Sequence, residues 1–199
     1  TVKGVGEAPA RITGSGNSVT VKQGSATSGQ NEIQMRVIGN TNTLDLGQAR
    51  TNQGVQSGTN GHYQSVDING YGNSLTTQQM NTTLGSHYQE TTINGNQNSV
   101  VQRQTDNGNK VMFTTITGNS NSVTATQSGT GQHQLVTDLT GNSNTVLVTQ
   151  DGAQQNKANI SLTNAGGAAT LDLQQSGGKN FTIQQSCSNP AGCTTTVRQ

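Results

Sequence analysis

The chain has 199 residues, of which Gly (26), Thr (31), Ser (17), Asn (23) and Gln (24) supply 121, while apolar residues are only 27% and Trp is absent. Globular domains ordinarily carry about 45–50% apolar residues, so too little apolar side chain is present here to offset chain entropy in a conventional compact enzyme core. Charged residues are 10% and net charge is +1, which argues against charge-driven disorder and against a nucleic-acid or anionic-lipid footprint; nor is there a run of about 18 apolar residues to insert in a membrane.

Residues 1–13 (TVKGVGEAPARIT) contain Pro9 and read as an N-terminal arm or cap. Thr1 rather than Met at the start is expected of a chain whose targeting segment has been removed. From residue 14 a repeat takes over. Segments beginning at Asn17, Asn42, Asn73, Asn98, Asn121, Asn144 and Ala169 read NSVTVKQ, NTLDLGQ, NSLTTQQ, NSVVQRQ, NSVTATQ, NTVLVTQ and ATLDLQQ. A Gly precedes each by three residues (Gly14, Gly39, Gly70, Gly95, Gly118, Gly141, Gly166), and successive starts differ by 25, 31, 25, 23, 23 and 25 residues.

Each segment alternates with period two, the mark of a strand with unlike faces. One face carries Asn, two aliphatic or small residues and Gln; in the sixth copy these are Asn144, Val146, Val148 and Gln150. The other face carries Ser or Thr and the charges Lys22, Asp45, Arg103 and Asp172, which belong in water. The Asn/aliphatic/Gln face is therefore expected inside. A second strand precedes each Gly, with inward residues such as Ile33, Met35 and Val37, or Leu135, Thr137 and Leu139. Phe181 and Ile183 finish that series, and the 31-residue spacing predicts a longer loop within 47–61.

Strand, turn, strand, turn in 23–25 residues buries its thin apolar strip only if the next unit stacks on it. Stacking every ~4.8 Å sets equivalent side chains in ladders, where an amide satisfies the copies above and below it. The predicted fold is thus all-β, a two-sheet β-solenoid of about seven strand-turn-strand rungs over residues 14–186, roughly 33 Å tall. Its ladder residues are Asn17, Gln23, Asn42, Gln48, Asn73, Gln79, Asn98, Gln104, Asn121, Gln127, Asn144, Gln150 and Gln175. Glycine in the Gly-x-x-Asn turns supplies positive φ without steric cost. Residues 187–199 read as a C-terminal tail in which a Pro-Gly turn lets Cys187 and Cys193 form a disulfide, as an oxidising extracellular setting favours.

The Asn-x-aliphatic-x-x-x-Gln strands, the Gly-x-x-Asn turns and the 23-residue spacing resemble curlin repeats, the units of curli amyloid, with GNSNSVTATQ (118–127) and GNSNTVLVTQ (141–150) matching best. The resemblance covers residues 14–186. It implies a secreted β-solenoid subunit that polymerises end to end into an extracellular fibre of a biofilm matrix, with itself as partner and a nucleator or secretion machinery as helpers. Open solenoid ends lead to the same expectation, because each is a β-edge that invites stacking. A monomeric surface adhesin or stalk is the alternative, and an ice-binding solenoid a further one, for which Thr124, Thr126, Thr145 and Thr149 provide hydroxyl pairs that Lys22, Asp45 and Arg103 interrupt.

His62, His87 and His133 share one column with Asn31 and Lys110, each eight residues before its Gly. Its plain reading is a polar ladder; His62 and His87 on adjacent rungs are also the one candidate metal or pH-sensing pair. Tyr63 and Tyr88 follow them on the outer face and are expected to stack. No catalytic site and no cofactor site is expected. A His133–Asp138 triad fails because an offset of five along one strand places the two on opposite faces, and the glycines lie in strand-to-strand turns without a phosphate loop.

Overall fold

In the computed structural model of the chain, residues 2–3, 10–24, 31–48, 50–51, 54–55, 61–81 and 85–199 are described. They contain strands and turns and no helix. In chain order the strands are β1 (Val2–Lys3), β2 (Arg11–Thr13), β3 (Ser18–Gln23), β4 (Glu32–Ile38), β5 (Thr43–Gln48), β6 (Arg50–Thr51), β7 (Gly54–Val55), β8 (Tyr63–Asn69), β9 (Ser74–Gln79) and β10 (His87–Asn94). There follow β11 (Ser99–Gln104), β12 (Lys110–Thr117), β13 (Ser122–Gln127), β14 (Gln134–Thr140), β15 (Thr145–Gln150), β16 (Lys157–Asn164), β17 (Ala169–Gln175), β18 (Asn180–Cys187) and β19 (Cys193–Arg198).

Two parallel sheets stack as a β-solenoid of about seven turns. Sheet A runs β1-β4-β8-β10-β12-β14-β16-β18, with β2 also beside β4; sheet B runs β19-β17-β15-β13-β11-β9-β5-β3. Register follows the repeat without slippage. Ile68, Ile93, Ile116, Leu139 and Leu162 pair rung to rung in sheet A, and Leu44, Leu75, Val100, Val123, Val146 and Leu171 do so in sheet B. A slip of one residue would turn each of these outward, so burial of the aliphatic set fixes the register. All eleven are at most 1% exposed.

The middle of the interior is polar. Gln64 donates to Thr77 Oγ1 (2.6 Å), Gln89 Nε2 to Gln102 Oε1 (2.7 Å), Thr91 Oγ1 to the same Oε1 (2.6 Å), and Gln102 Nε2 to Thr114 Oγ1 (2.7 Å). These bonds cross between the sheets, replacing apolar packing where the sequence has no aliphatic to offer.

The turn glycines have the expected backbone. Gly95 has φ +148°, and a Cβ there would collide with the carbonyl oxygen of Gly118 in the next turn, so the glycine column is required by the close approach of stacked turns as well as by torsion. Gly166 departs from this: its φ is not positive, and its rung turns differently, through Asn164 to Ala169.

Two boundaries differ from the sequence reading. The segment 187–199, expected as a tail, continues the solenoid: β19 pairs with β17 from Cys193↔Ala169 to Arg198↔Gln174, giving sheet B eight strands. At the other end the described residues of the 1–13 arm, β1 and β2, lie along β4 at Val2↔Ile33 and Ile12↔Val37. Pro9 lies outside the described residues. Gly47 falls inside β5, so the longer insertion begins after Gln48 and includes the antiparallel pair β6–β7; residues 49, 52–53 and 56–60 of it lie outside the described residues.

Candidate functional site: amide ladders, the His-Lys column and the solenoid ends

The Asn column forms where each strand of sheet B leaves its Gly turn, and the Gln column where that strand ends. Gln23 Nε2 donates to Gln48 Oε1 (2.9 Å), Gln48 to Gln79 (2.9 Å), Gln79 to Gln104 (3.0 Å), Gln104 to Gln127 (3.0 Å), Gln127 to Gln150 (2.8 Å) and Gln150 to Gln175 (2.9 Å). The second amide hydrogen reaches a backbone carbonyl across the interior, as from Gln104 to Tyr88 O (3.0 Å). Along the Asn column the donors point the other way. Asn42 Nδ2 donates to Asn17 Oδ1 (3.1 Å), Asn73 to Asn42, Asn98 to Asn73, Asn121 to Asn98 and Asn144 to Asn121, the last four at 3.0 Å. Each Asn Oδ1 also accepts the backbone N–H of the next Asn, as from Asn121 N–H to Asn98 Oδ1 (3.0 Å). All ladder residues named from the sequence are buried except Asn17 and Gln23, which are half-buried in the first rung. Where Ala169 interrupts the column, Asn164 reaches in from β16 and donates to Asn144 Oδ1 (2.7 Å).

The sheet A column runs Asn31, His62, His87, Lys110, His133, Asn156, Lys179. Its chemistry explains why Asn and His interchange: Asn31, His62, His133 and Asn156 each offer an acceptor to the backbone N–H one rung on, whereas His87 Nδ1 is without a partner. His62 N–H donates to Asn31 Oδ1 (3.0 Å), His87 N–H to His62 Nδ1 (3.1 Å), Asn156 N–H to His133 Nδ1 (3.2 Å), and Lys179 N–H to Asn156 Oδ1 (3.1 Å). With Nδ1 accepting at His62 and His133, those imidazoles are neutral and carry their proton on Nε2. His133 Nε2 accordingly faces Ser128 O (2.7 Å), and His87 Nε2 faces Met80 O (2.9 Å).

Burial favours the same neutral forms. It pushes His62 down to about 4, against an opposing contact from Asn81, and pushes His87 down to about 3 with help from His62 and Lys110; His133 is lowered by the same cause. His62 and His87 stack with ring centroids 4.9 Å apart and planes 14° from parallel. His62 Nδ1 and His87 Nε2 are engaged by the chain, while His62 Nε2 and His87 Nδ1 are buried without a hydrogen-bond partner; among the described residues no group of three or more His, Cys, Asp or Glu gathers around them.

Lys110 is fully buried, its Nζ donating to Asn107 O (2.7 Å) and Gly129 O (2.8 Å), so it clips together two successive turns. Burial pushes its ammonium down to about 8, with Asp106 and Asp151 acting in opposition.

On the outer face of sheet A, Tyr63 and Tyr88 stack at 4.7 Å, and Phe113 tilts against Tyr88 at 5.7 Å. Tyr88 Oη donates to Glu90. On the outer face of sheet B, Thr124 lies between Val101 and Leu147, and Thr126 and Thr149 are neighbours; these two rows are broken by aliphatics and, at Asp45, Arg103 and Asp172, by charges, whereas the row through Thr145 is Ser or Thr in every strand from Ser18 to Thr194. His133 and Asp138 occupy opposite faces, one buried and one exposed.

Toward the ends the described interior residues are less covered. Val19 and Val21 in β3, and Phe181, Ile183 and Val197 in β18 and β19, are only partly buried, and Ile12 is 48% exposed. The last turn is closed by the Cys187–Cys193 disulfide, with Cα atoms 5.8 Å apart, where earlier rungs use Gly-x-x-Asn. Sequence reasoning did not find a third amide ladder on the turn surface. Asn96 Nδ2 donates to Asn119 Oδ1 (3.0 Å) and Asn119 Nδ2 to Asn142 Oδ1 (3.2 Å), with Asn164 Oδ1 accepting the Asn142 N–H (3.0 Å). Its signal is the Asn directly after Gly in GNQN, GNSN and GNSN. Comparison with protein-family models, with curated proteins and with solved structures gave no match.

Proposed function

We propose that this chain is the structural subunit of a secreted, self-assembling extracellular fibre of the curli kind, a building block of a biofilm matrix that grows by end-to-end stacking of solenoid rungs. The observation that carries this reading is an interior that, among the described residues, is closed along its length and less covered toward both ends. Leu75, Val123 and Val146 are at most 1% exposed, whereas their column mate Val19 in the first rung is partly uncovered. The outer edges of β3, β18 and β19 have no neighbouring strand among the described residues. A second copy supplies what each end lacks: backbone partners, apolar cover and, through Gln199 over Gln23, the next amide of the Gln ladder. The disulfide accords with an oxidising compartment.

Negative-stain microscopy of concentrated purified chain, with a thioflavin-type signal and addition of sonicated seeds, tests the reading. Unbranched filaments whose lag is abolished by seeds are expected. A monomer that persists at high concentration, seeds included, overturns the fibre reading in favour of a stalk.

A further inference from the structure

The outer face of sheet B carries five charged residues among those described, and their arrangement is mirrored. Lys22 stands in the first rung and Arg198 in the last, in the same outer column; Asp45 and Asp172 stand one rung inward at each end, in the adjacent outer column. Between them only Arg103 is charged, flanked in its column by Gln78 and Thr126. Each terminal cation folds back onto its own copy, Lys22 Nζ to Asp45 at 2.9 Å and Arg198 to Asp172 at 3.0 Å.

Continuing the register of sheet B from one copy into the next, β19 over β3, sets Thr194 over Ser18, Thr196 over Thr20, Val197 over Val21 and Gln199 over Gln23. The Ser/Thr, Val21 and Gln23 columns then continue in kind, while Thr195 falls over Val19 and Cys193 over Asn17. The same register sets Arg198 over Lys22, the one place where two cations meet. Like charges opposite one another on neighbouring strands oppose pairing.

We propose that Asp45 and Asp172 are the residues that make the axial joint between two copies passable: each draws its terminal cation inward, so that a second copy stacks in register without cation against cation. This rests on the fibre reading and specifies its joint. The partner is a second copy of this chain, and the two carboxylates decide how fast it joins. With both ion pairs in place the cations are drawn apart and each is neutralised by an acid. With one acid removed, an unmasked cation about 5 Å from its counterpart in water slows joining about fourfold at low ionic strength, and salt restores the rate.

Seeded growth rates of the full chain in low and high sodium chloride test this. Asp172→Asn is expected to elongate about fourfold more slowly than wild type in low salt, to recover in high salt, and to recover in low salt when combined with Arg198→Gln. Asp138→Asn removes the same charge from the exposed mid-chain face of sheet A and is expected to leave growth unchanged. Asp172→Asn filaments that grow at the wild-type rate, or an equal slowing by Asp138→Asn, overturn the proposed joint while leaving the fibre reading in place. A wild-type chain that forms no filaments in any salt refutes the fibre reading itself, and this joint with it.

Discussion

Asn121→Leu is the substitution that isolates what a buried amide ladder contributes. Asn121 Nδ2 donates to Asn98 Oδ1 (3.0 Å) and Gly141 O (2.9 Å), and its Oδ1 accepts the Asn144 backbone N–H (2.9 Å) and Asn144 Nδ2 (3.0 Å). Leucine fills similar space in a site that is 1% exposed, but it strands three groups: the Gly141 carbonyl and both Asn144 donors. Asn98 Oδ1 keeps the residue 121 N–H. At about 1–3 kcal/mol per stranded group, less about 2 kcal/mol gained by burying the leucine, the expected loss is about 1–7 kcal/mol, which at its midpoint rivals the whole stability of a marginal domain. Asn119→Leu is the matched control. Asn119 Oδ1 accepts the Asn96 N–H (2.9 Å) and Asn96 Nδ2 (3.0 Å) in the same geometry, but on the exposed turn surface, where water replaces it, so the loss stays under about 1 kcal/mol. Urea unfolding of dilute chain, followed by far-ultraviolet circular dichroism, measures both. If Asn121→Leu loses no more than Asn119→Leu, buried amide ladders are not what replaces the missing hydrophobic core.

Two further outcomes follow from the site. His62 is neutral in the folded chain down to about pH 4 but takes up a proton near 6.5 when unfolded, so stability falls as pH drops through that window, by on the order of 3 kcal/mol for this residue. His62→Asn keeps an acceptor for the His87 N–H as Asn31 and Asn156 do in their rungs; urea midpoints between pH 7 and 4 are expected to show a flatter decline, and an unchanged slope would contradict the assignment. Reduction of Cys187–Cys193 removes the closure of the last turn. Amide exchange in β18 and β19 is expected to accelerate while rungs from β4 to β17 keep their protection, and uniform acceleration along the chain would refute a local role.

The repeat was legible because parity survives substitution: Val146, Leu75 and Val100 differ in shape yet keep the inward phase, and Asn and Gln bracket them at fixed offsets. The stacked tyrosines and the inward His column came from the same counting. What escaped was whatever does not repeat. The strand β19 carries Thr194, Thr195 and Thr196 in a row, so alternation is erased, and its turn is a disulfide bridge in place of a glycine turn. Asn164 sits five residues before Ala169, and only the altered turn around Gly166 brings it into the Asn ladder. The surface ladder through Asn119 was hidden because glycine-asparagine pairs already had an explanation as turns. The polar crossing at Gln89 and Gln102 was visible as inward glutamines but not as a bond, since pairing between sheets depends on how the two faces are offset.

The opposed sense of the two buried ladders has an electrical consequence. Gln side chains present their positive amide ends toward the C-terminal rung and Asn side chains toward the N-terminal rung. Summed over rungs, the two rows of dipoles largely cancel along the axis. A column of this kind can be extended by many units without the end-to-end potential that a long α-helix accumulates.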